Sequence, residues 1–260
     1  MTVTKRTLPL VSLLLCTWVA ASSAHAAGSV SLSPAVVSLR GEAGQSTTQT
    51  LTFTNSTSAP LSFEMVAMDV VVKNGKRTFV DAGATSGSIA ATAVYTQHTA
   101  TVAPGRSIDV GVTVTIPPQP TMRAIVVMCK GTTRLARGPM FTTASVGTLL
   151  TFELSSDAIA AVASPLQVQA PTASTNLVAS QELTSTGSAP FMASGMLAIL
   201  DSRGALVGKQ AIPSTRLLPG EKTDLRIEYA GDLPSGRYQA MMTFDLSGKP
   251  LTSRTEFIVP

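Results

Sequence analysis

Apolar and polar residues alternate with a period of two along most of this chain, and no long 3.6-residue repeat appears after its first two dozen positions. In Thr50-Leu51-Thr52-Phe53-Thr54, Leu51 and Phe53 share one face and the threonines the other. Asp109 to Ile116 alternates similarly until Pro117-Pro118, which cannot donate to a ladder, ends the run. Thr148 to Leu154 sets Leu150, Phe152 and Leu154 on one face. Valine and threonine suit a pleated, half-buried surface. Asn74-Gly75, between Val70–Val72 and Thr78–Val80, reads as a two-residue hairpin turn because both residues tolerate positive φ. Pro104-Gly105, Pro219-Gly220 and Ser247-Gly248 mark further turns. Short alternating strands punctuated in this way predict an all-β sandwich architecture.

A weak internal repeat divides the pattern in two. Ala103-Pro104-Gly105-Arg106-Ser107 precedes an alternating strand, and so does Leu218-Pro219-Gly220-Glu221-Lys222. Each is followed by a proline-bearing link and a new β run, Arg123 to Met128 and then Arg237 to Phe244. The expected organisation is two tandem immunoglobulin-like antiparallel β-sandwich domains, 28–155 and 165–260, joined by a linker at 156–164. Thr255 to Val259 reads as the last strand.

The segment 1–27 breaks the period. Lys5 and Arg6 precede an apolar run from Leu8 to Ala21, and Ala24-His25-Ala26 forms a small-x-small cleavage site, so this segment reads as a secretory signal peptide. Pro9, Ser12 and Thr17 interrupt the run and argue for cleavage over a membrane anchor. A lipoprotein reading at Cys16 suffers from the leucine just before it. The expectation is export, to the periplasm first and the extracellular space second. Without Lys5 and Arg6, the 19 basic residues keep only a small excess over the 15 acidic ones. Aromatics at 5% and the lack of a basic stripe argue against nucleic acid.

Trp18, Cys16 and His25 leave with the signal, so a mature chain of about 230 residues keeps one histidine, His98, and one cysteine, Cys129. A zinc site or a nucleophile-histidine relay needs more than that. Gly-x-Ser-x-Gly and glycine-rich phosphate loops do not occur. Glu64 and Asp69 are the nearest thing to a glycosidase carboxylate pair, but solvated strand-edge carboxylates are far commoner. His98 reads as a surface or turn residue, and Cys129, in the apolar run Ala124–Met128, as a buried small hydrophobe. The chain is expected to be no enzyme and to carry no cofactor and no metal.

The segment Lys130 to Thr143 is long for a hairpin and carries Lys130, Arg134 and Arg137 with no acidic residue. It leads into Val146 to Leu154, read here as an edge strand. A partner's strand could pair with that edge, with Val146, Leu150, Phe152 and Leu154 as its apolar knobs and Arg123, Lys130, Arg134 and Arg137 as nearby cations. The same four apolar side chains also suit the first domain's own core.

Several elements resemble the PapD-like periplasmic pilus chaperones and their bacterial Ig-like relatives. These are Val30-Ser31-Leu32-Ser33-Pro34, Ala43-Gly44-Gln45-Ser46, Leu51–Asn55, Ala103-Pro104-Gly105, Pro117-Pro118 and the long loop before the first domain's last strand. The resemblance covers most of the first unit and, more loosely, the second. It implies a non-enzymatic chaperone or assembly accessory factor that binds an exported, pilus-like subunit by lending a strand. It also implies an arginine and a lysine in the cleft that hold the subunit's terminal carboxylate, as their donors suit that anion. By alignment the arginine position falls at Val36 and the lysine position near Thr148 or Leu149, so neither cation is present; Arg40, Arg123 and Lys130 are the substitutes considered. The alternative is a structural or adhesive Ig-like module that binds an envelope protein or glycan without folding it. The sequence leaves the oligomeric state open.

Overall fold

The structure, a computed structural model, describes residues 29–137 and 140–260. The signal-peptide reading of 1–27 lies outside the described residues. Among the described residues twenty strands follow in order: β1 (Val30–Ser33), β2 (Val36–Gly41), β3 (Ser46–Asn55), β4 (Leu61–Lys73), β5 (Lys76–Asp81), β6 (Val94–Tyr95), β7 (Thr99–Val102), β8 (Arg106–Thr115), β9 (Ala124–Gly131), β10 (Leu135–Arg137), β11 (Met140–Thr142) and β12 (Val146–Leu154). The second half contains β13 (Ala161–Ala163), β14 (Gln167–Gln169), β15 (Leu177–Ser185), β16 (Phe191–Asp201), β17 (Leu206–Leu217), β18 (Lys222–Tyr229), β19 (Gly236–Leu246) and β20 (Pro250–Val259).

The first sandwich packs the sheet β1-β3-β8-β6 on the sheet β2-β12-β9-β4-β5, with β7 sharing the β5 edge of β4. The alternation in the sequence is what closes it. Leu51, Phe53, Val110, Val112 and Val114 from one sheet meet Phe63, Met65, Ile125, Val127, Leu150 and Phe152 from the other. The Phe53 and Phe63 rings lie 4.5 Å apart, centroid to centroid, and add an aromatic contact to the burial. The second sandwich sets β15, with β13 and β14 end to end on one edge and β18 on the other, against β17-β16-β19-β20. Leu177, Leu183, Phe191, Leu197, Ile199 and Phe244 fill it.

Two departures from the sequence expectation have simple causes. β13 falls inside the stretch expected to be linker and pairs with β15, because Ala161–Ala163 continues the alternation against Leu183–Ser185. The first sandwich is also not wholly antiparallel. After β1 pairs with β3, the chain crosses at Pro34 and β2 runs parallel to β12, from Val36 opposite Leu149 to Gly41 opposite Leu154. One N-terminal run thus serves both sheets.

The domains touch directly. Leu218 is buried against Val70, Ala124 and Val126 on the outer face of the β9-β4 sheet. Arg77 Nη2 donates to the Arg216 carbonyl (2.6 Å) and to Glu221 Oε2 (3.0 Å), and Glu221 Oε2 also accepts from the Leu218 N–H at 2.8 Å. The Lys222 N–H donates to the Gly75 carbonyl, 2.9 Å. At this turn Asn74 and Gly75 have φ of 53° and 78°, as a two-residue hairpin requires.

Candidate functional site: a strand edge beside the inter-domain cleft

β12 sits between β9 and β2, but the two neighbours cover different lengths of it. The β9 ladder runs from Val146–Cys129 to Thr151–Ala124, whereas the β2 ladder begins only at Leu149–Val36. The Leu149 N–H donates to the Ala35 carbonyl (3.0 Å), and the Phe152 N–H donates to the Arg123 carbonyl on the opposite side (2.8 Å). Successive N–H groups in a strand alternate sides. Gly147 N–H therefore points to the same side as Leu149 N–H, where β2 has not yet begun. In sequence, β9 is joined to β12 through β10 and β11, which pair with each other in register from Leu135–Thr142 to Arg137–Met140.

The expected apolar knobs do not line this edge. Leu150 and Phe152 are 0% exposed, Leu154 is 9% exposed, and Val146 is half-buried against the same core. The alternation identified one face correctly, but that face is the sandwich interior. An exposed edge does not turn those side chains outward, because pairing direction lies in the sheet and side chains stand across it. As knobs for a partner these four residues are withdrawn.

The cations also separate. Arg123 Nε and Nη2 grip the Asp157 carboxylate at 2.6 and 2.9 Å, and Nη1 donates to the Pro120 and Met122 carbonyls at 2.7 and 3.1 Å. Its donors are spent on tying the entry of β9 to the turn after β12, so it is a structural clamp and not a partner contact. Burial alone would raise the Asp157 carboxyl. Hydrogen bonds from Arg123 and the Leu154 N–H, the Arg123 charge and a bond from Ser188 outweigh burial and hold it below the usual carboxylate range. Arg40 pairs on the surface with Glu153 at 3.0 Å. Lys130 and Arg134 are exposed at the far end of β9 and beyond it, and the side chain of Arg137 lies outside the described atoms.

Glu64 and Asp69 cannot form an acid/base pair. They are an odd number of residues apart on β4 and so project to opposite faces. Asp69 is buried and accepts from the Ser88 hydroxyl and the Ala90 N–H, which organises the loop before β6. Glu64 lies on the outer face, 3.4 Å from an exposed His98. Cys129 is buried, its Sγ 3.4 Å from Met65 Sδ, and burial pushes its thiol up to about 12. Among the described residues, no group of three or more His, Cys, Asp or Glu side chains is placed to hold a metal ion.

One cation escaped the sequence reading. Arg216, at the end of β17, reaches back from the second domain so that Nη1 donates to the Thr151 hydroxyl at 3.2 Å. Among the described residues it has no carboxylate within ion-pair distance. Burial, and then the charge of Arg77, push its guanidinium below its ordinary value. It lines a hollow of about 320 Å³ between the domains with Ser38, Arg40, Thr151, Met192 and Ser247, where the one carboxylate, Glu153, is already paired with Arg40. Its sequence neighbours, Leu217-Leu218-Pro219-Gly220, carry a turn signal, and nothing local says that the side chain crosses to another domain.

No protein-family model matches the chain, and no curated protein matches it. Among solved structures it is similar to the class 5 fimbriae chaperone CfaA, at 12% identity over 89% of this chain and 100% of that one, TM-score 0.45. It is similar to the E. coli chaperone DraB at 14% identity, over 90% of this chain and 98% of that one, TM-score 0.43. A chain of the Salmonella enterica SafA pilin–SafB chaperone complex matches at 13% identity, over 88% of this chain and 96% of that one, TM-score 0.43. Likeness at this level carries no inference about function, which rests on the edge and the cleft.

Proposed function

We propose that this chain is a non-enzymatic exported protein, working in the periplasm as a chaperone or assembly accessory factor, that binds a secreted, pilus-like subunit by β-strand addition. The observation that carries this reading is the half-covered edge of β12. Gly147 presents an N–H to the side that β2 leaves open, at the end of a ladder already fixed by β9. A partner strand laid there continues the line of β2 and gains main-chain hydrogen bonds, while the register of β12 is held from behind.

The cleft supplies the second element. The carboxylate-anchor positions that the resemblance implies are Val36 and either Thr148 or Leu149; all three are neutral, and Leu149 faces Val36 across the β2–β12 ladder. Thr151 is the next outward position along β12, and Arg216 is bonded to it. Arg216 is the cation we assign to a partner's terminal carboxylate. A guanidinium partly withdrawn from water and pressed by a second arginine gains from an anion more than a fully solvated one does.

The test is recovery of the tagged mature protein from its native periplasm, with its companions identified by mass spectrometry. The expected companion is a secreted subunit that is unstable alone. Gly147→Pro removes the donor on the open side and leaves the β9 ladder intact, since the N–H it deletes points away from β9. That variant is expected to fold and to lose the subunit. A Gly147→Pro protein that keeps its subunit overturns strand addition at this edge.

A further inference from the structure

Strands β16 and β17 set a thioether beside a guanidinium. Met192 stands directly opposite Arg216 in their ladder, where β-carbons lie about 5 Å apart, and both side chains line the hollow between the domains. Arg216 has given one donor, Nη1, to the Thr151 hydroxyl. The Glu153 carboxylate of that hollow is taken by Arg40. The rest of the Arg216 fork has no carboxylate partner among the described residues, and the thioether across the ladder is only a weak acceptor. Met192 is also one of the sulfurs that solvent reaches. Met65, Met122, Met242 and Cys129 are buried, whereas Met192 is 37% exposed and Met196 44%. Met196 lies further along β16, opposite Ala211 and outside the hollow. The fold thus offers two accessible methionines of similar exposure, and only one of them faces a cation.

We propose that Met192 is a reversible oxidation site that regulates the cleft: its sulfoxide bonds Arg216 and competes with the partner's terminal carboxylate. The proposal rests on the assignment of Arg216 to that carboxylate and adds a control to it. In the oxidation, hydrogen peroxide transfers one oxygen atom to the thioether sulfur. The S–O bond forms as the O–O bond breaks, sulfur gives up an electron pair, and the peroxide leaves as water. The product is a polar side chain of nearly unchanged length. Its oxygen is a strong acceptor where the sulfur was a weak one. Held directly across the ladder from Arg216, that oxygen is tethered, so its effective concentration at the guanidinium exceeds that of a partner arriving from solution. A carboxylate makes the stronger bond, but it must first displace an acceptor already in place. Reduction by two thiols, which become a disulfide, returns the thioether and releases the oxygen as water, so the state is reversible. The buried Cys129 lies out of an oxidant's reach, which leaves the sensing to the thioether.

The test uses the full mature chain and a fluorescein-labelled synthetic peptide that alternates threonine with leucine and ends in a free carboxylate, with its C-terminal amide as reference. Binding is read by fluorescence anisotropy, oxidation by peptide mass mapping and folding by thermal melts. The parent is expected to prefer the acid at least about tenfold, as a charge-assisted hydrogen bond implies. Hydrogen peroxide is expected to convert Met192 and Met196 ahead of the buried methionines and to remove that preference. Methionine sulfoxide reductases of both epimer specificities, with dithiothreitol, are expected to restore it. Met192→Leu is expected to show the same preference before and after peroxide, whereas Met196→Leu loses it as the parent does. Met192→Gln, which sets an amide oxygen in the sulfoxide's place, is expected to lack the preference without any oxidant. A folded parent that is oxidised at Met192 and still prefers the acid overturns the proposal. So does a Met192→Leu protein that loses its preference to peroxide, or a Met192 that resists peroxide while Met196 is converted. If the untreated parent binds acid and amide alike, the assignment of Arg216 to a carboxylate has failed and the proposal fails with it.

Discussion

Arg123 and Asp157 show how a residue's chemistry is decided by where the fold puts its partner. The Arg123 side chain is 16% exposed and that of Asp157 2%, so the pair is hidden from water and its loss leaves an uncompensated charge. Asp157→Ala is expected to destabilise the protein by about 3–5 kcal/mol, read as a fall in the chemical denaturation midpoint. Because the folded carboxyl titrates below its unfolded value, the stabilisation is complete above about pH 4 and is lost as pH falls through the folded value. The wild-type melting temperature should therefore drop in that acid range, with a shallower drop in the variant. Cys129 gives a second test at this scale. With its thiol pushed up to about 12 by burial, it should resist iodoacetamide at pH 8 in the native protein and react once the chain is unfolded in guanidinium. Its burial was legible from the run Ala124–Met128. The engagement of Arg123 was not, since the charge that claims it lies 34 residues further on.

At the scale of the strand, alternation reveals that a segment has two faces and says nothing about what lies along its edges. The sequence of β12 is as suitable for an edge as for an interior strand. The decisive neighbour, β2, is a six-residue segment, Val-Val-Ser-Leu-Arg-Gly, too short and too mixed to announce a parallel pairing with residues far along the chain. Two substitutions in β12 separate its roles. Phe152→Ala empties a fully buried position and is expected to cost about 3–5 kcal/mol, visible as an early thermal transition. Gly147→Pro, five residues away on the same strand, adds a carbon that meets Val126 Cγ2 at 2.9 Å and Met128 Cγ at 3.0 Å, so it is expected to lower the melting temperature by less than Phe152→Ala does and to act chiefly on partner binding. The turns fared better: the positive φ of Asn74, Gly75, Ser247 and Gly248 sits where Asn-Gly and Ser-Gly pairs marked it, because local stereochemistry alone decides those positions.

Across the whole molecule, the two sandwiches were readable from their strand spacing, but their contact was not. It is made of single residues from separate places: the Gly75 carbonyl, Arg77, Leu218, Glu221. Gly75 is confined twice over. Its φ of 78° disfavours any side chain, and a Cβ there would lie 2.7 Å from the Lys222 side chain. Gly75→Val is expected to part the domains, raising the radius of gyration in small-angle scattering and speeding proteolysis between β12 and β13. Glu221→Ala, which removes the carboxylate bonded to Arg77 without touching the turn, should move the same readouts in the same direction. Unchanged scattering in both variants would mean that the seat of Leu218 holds the domains without help.

The parallel pairing of β2 with β12 joins residues more than a hundred positions apart; the Arg40–Glu153 pair spans 113. Such contacts form late, since the intervening chain must be gathered first. β2 comes early in the chain and has no place to dock until β12, the last strand of its domain, is in position. The groove edge at Gly147 is therefore bounded only when that domain is finished. A half-folded chain, with β2 unplaced, exposes the full length of β12 and can mispair along it; the finished domain shortens the offer to a few residues. Completion of folding is thus what confines the uncovered side of β12 to the residues before Leu149.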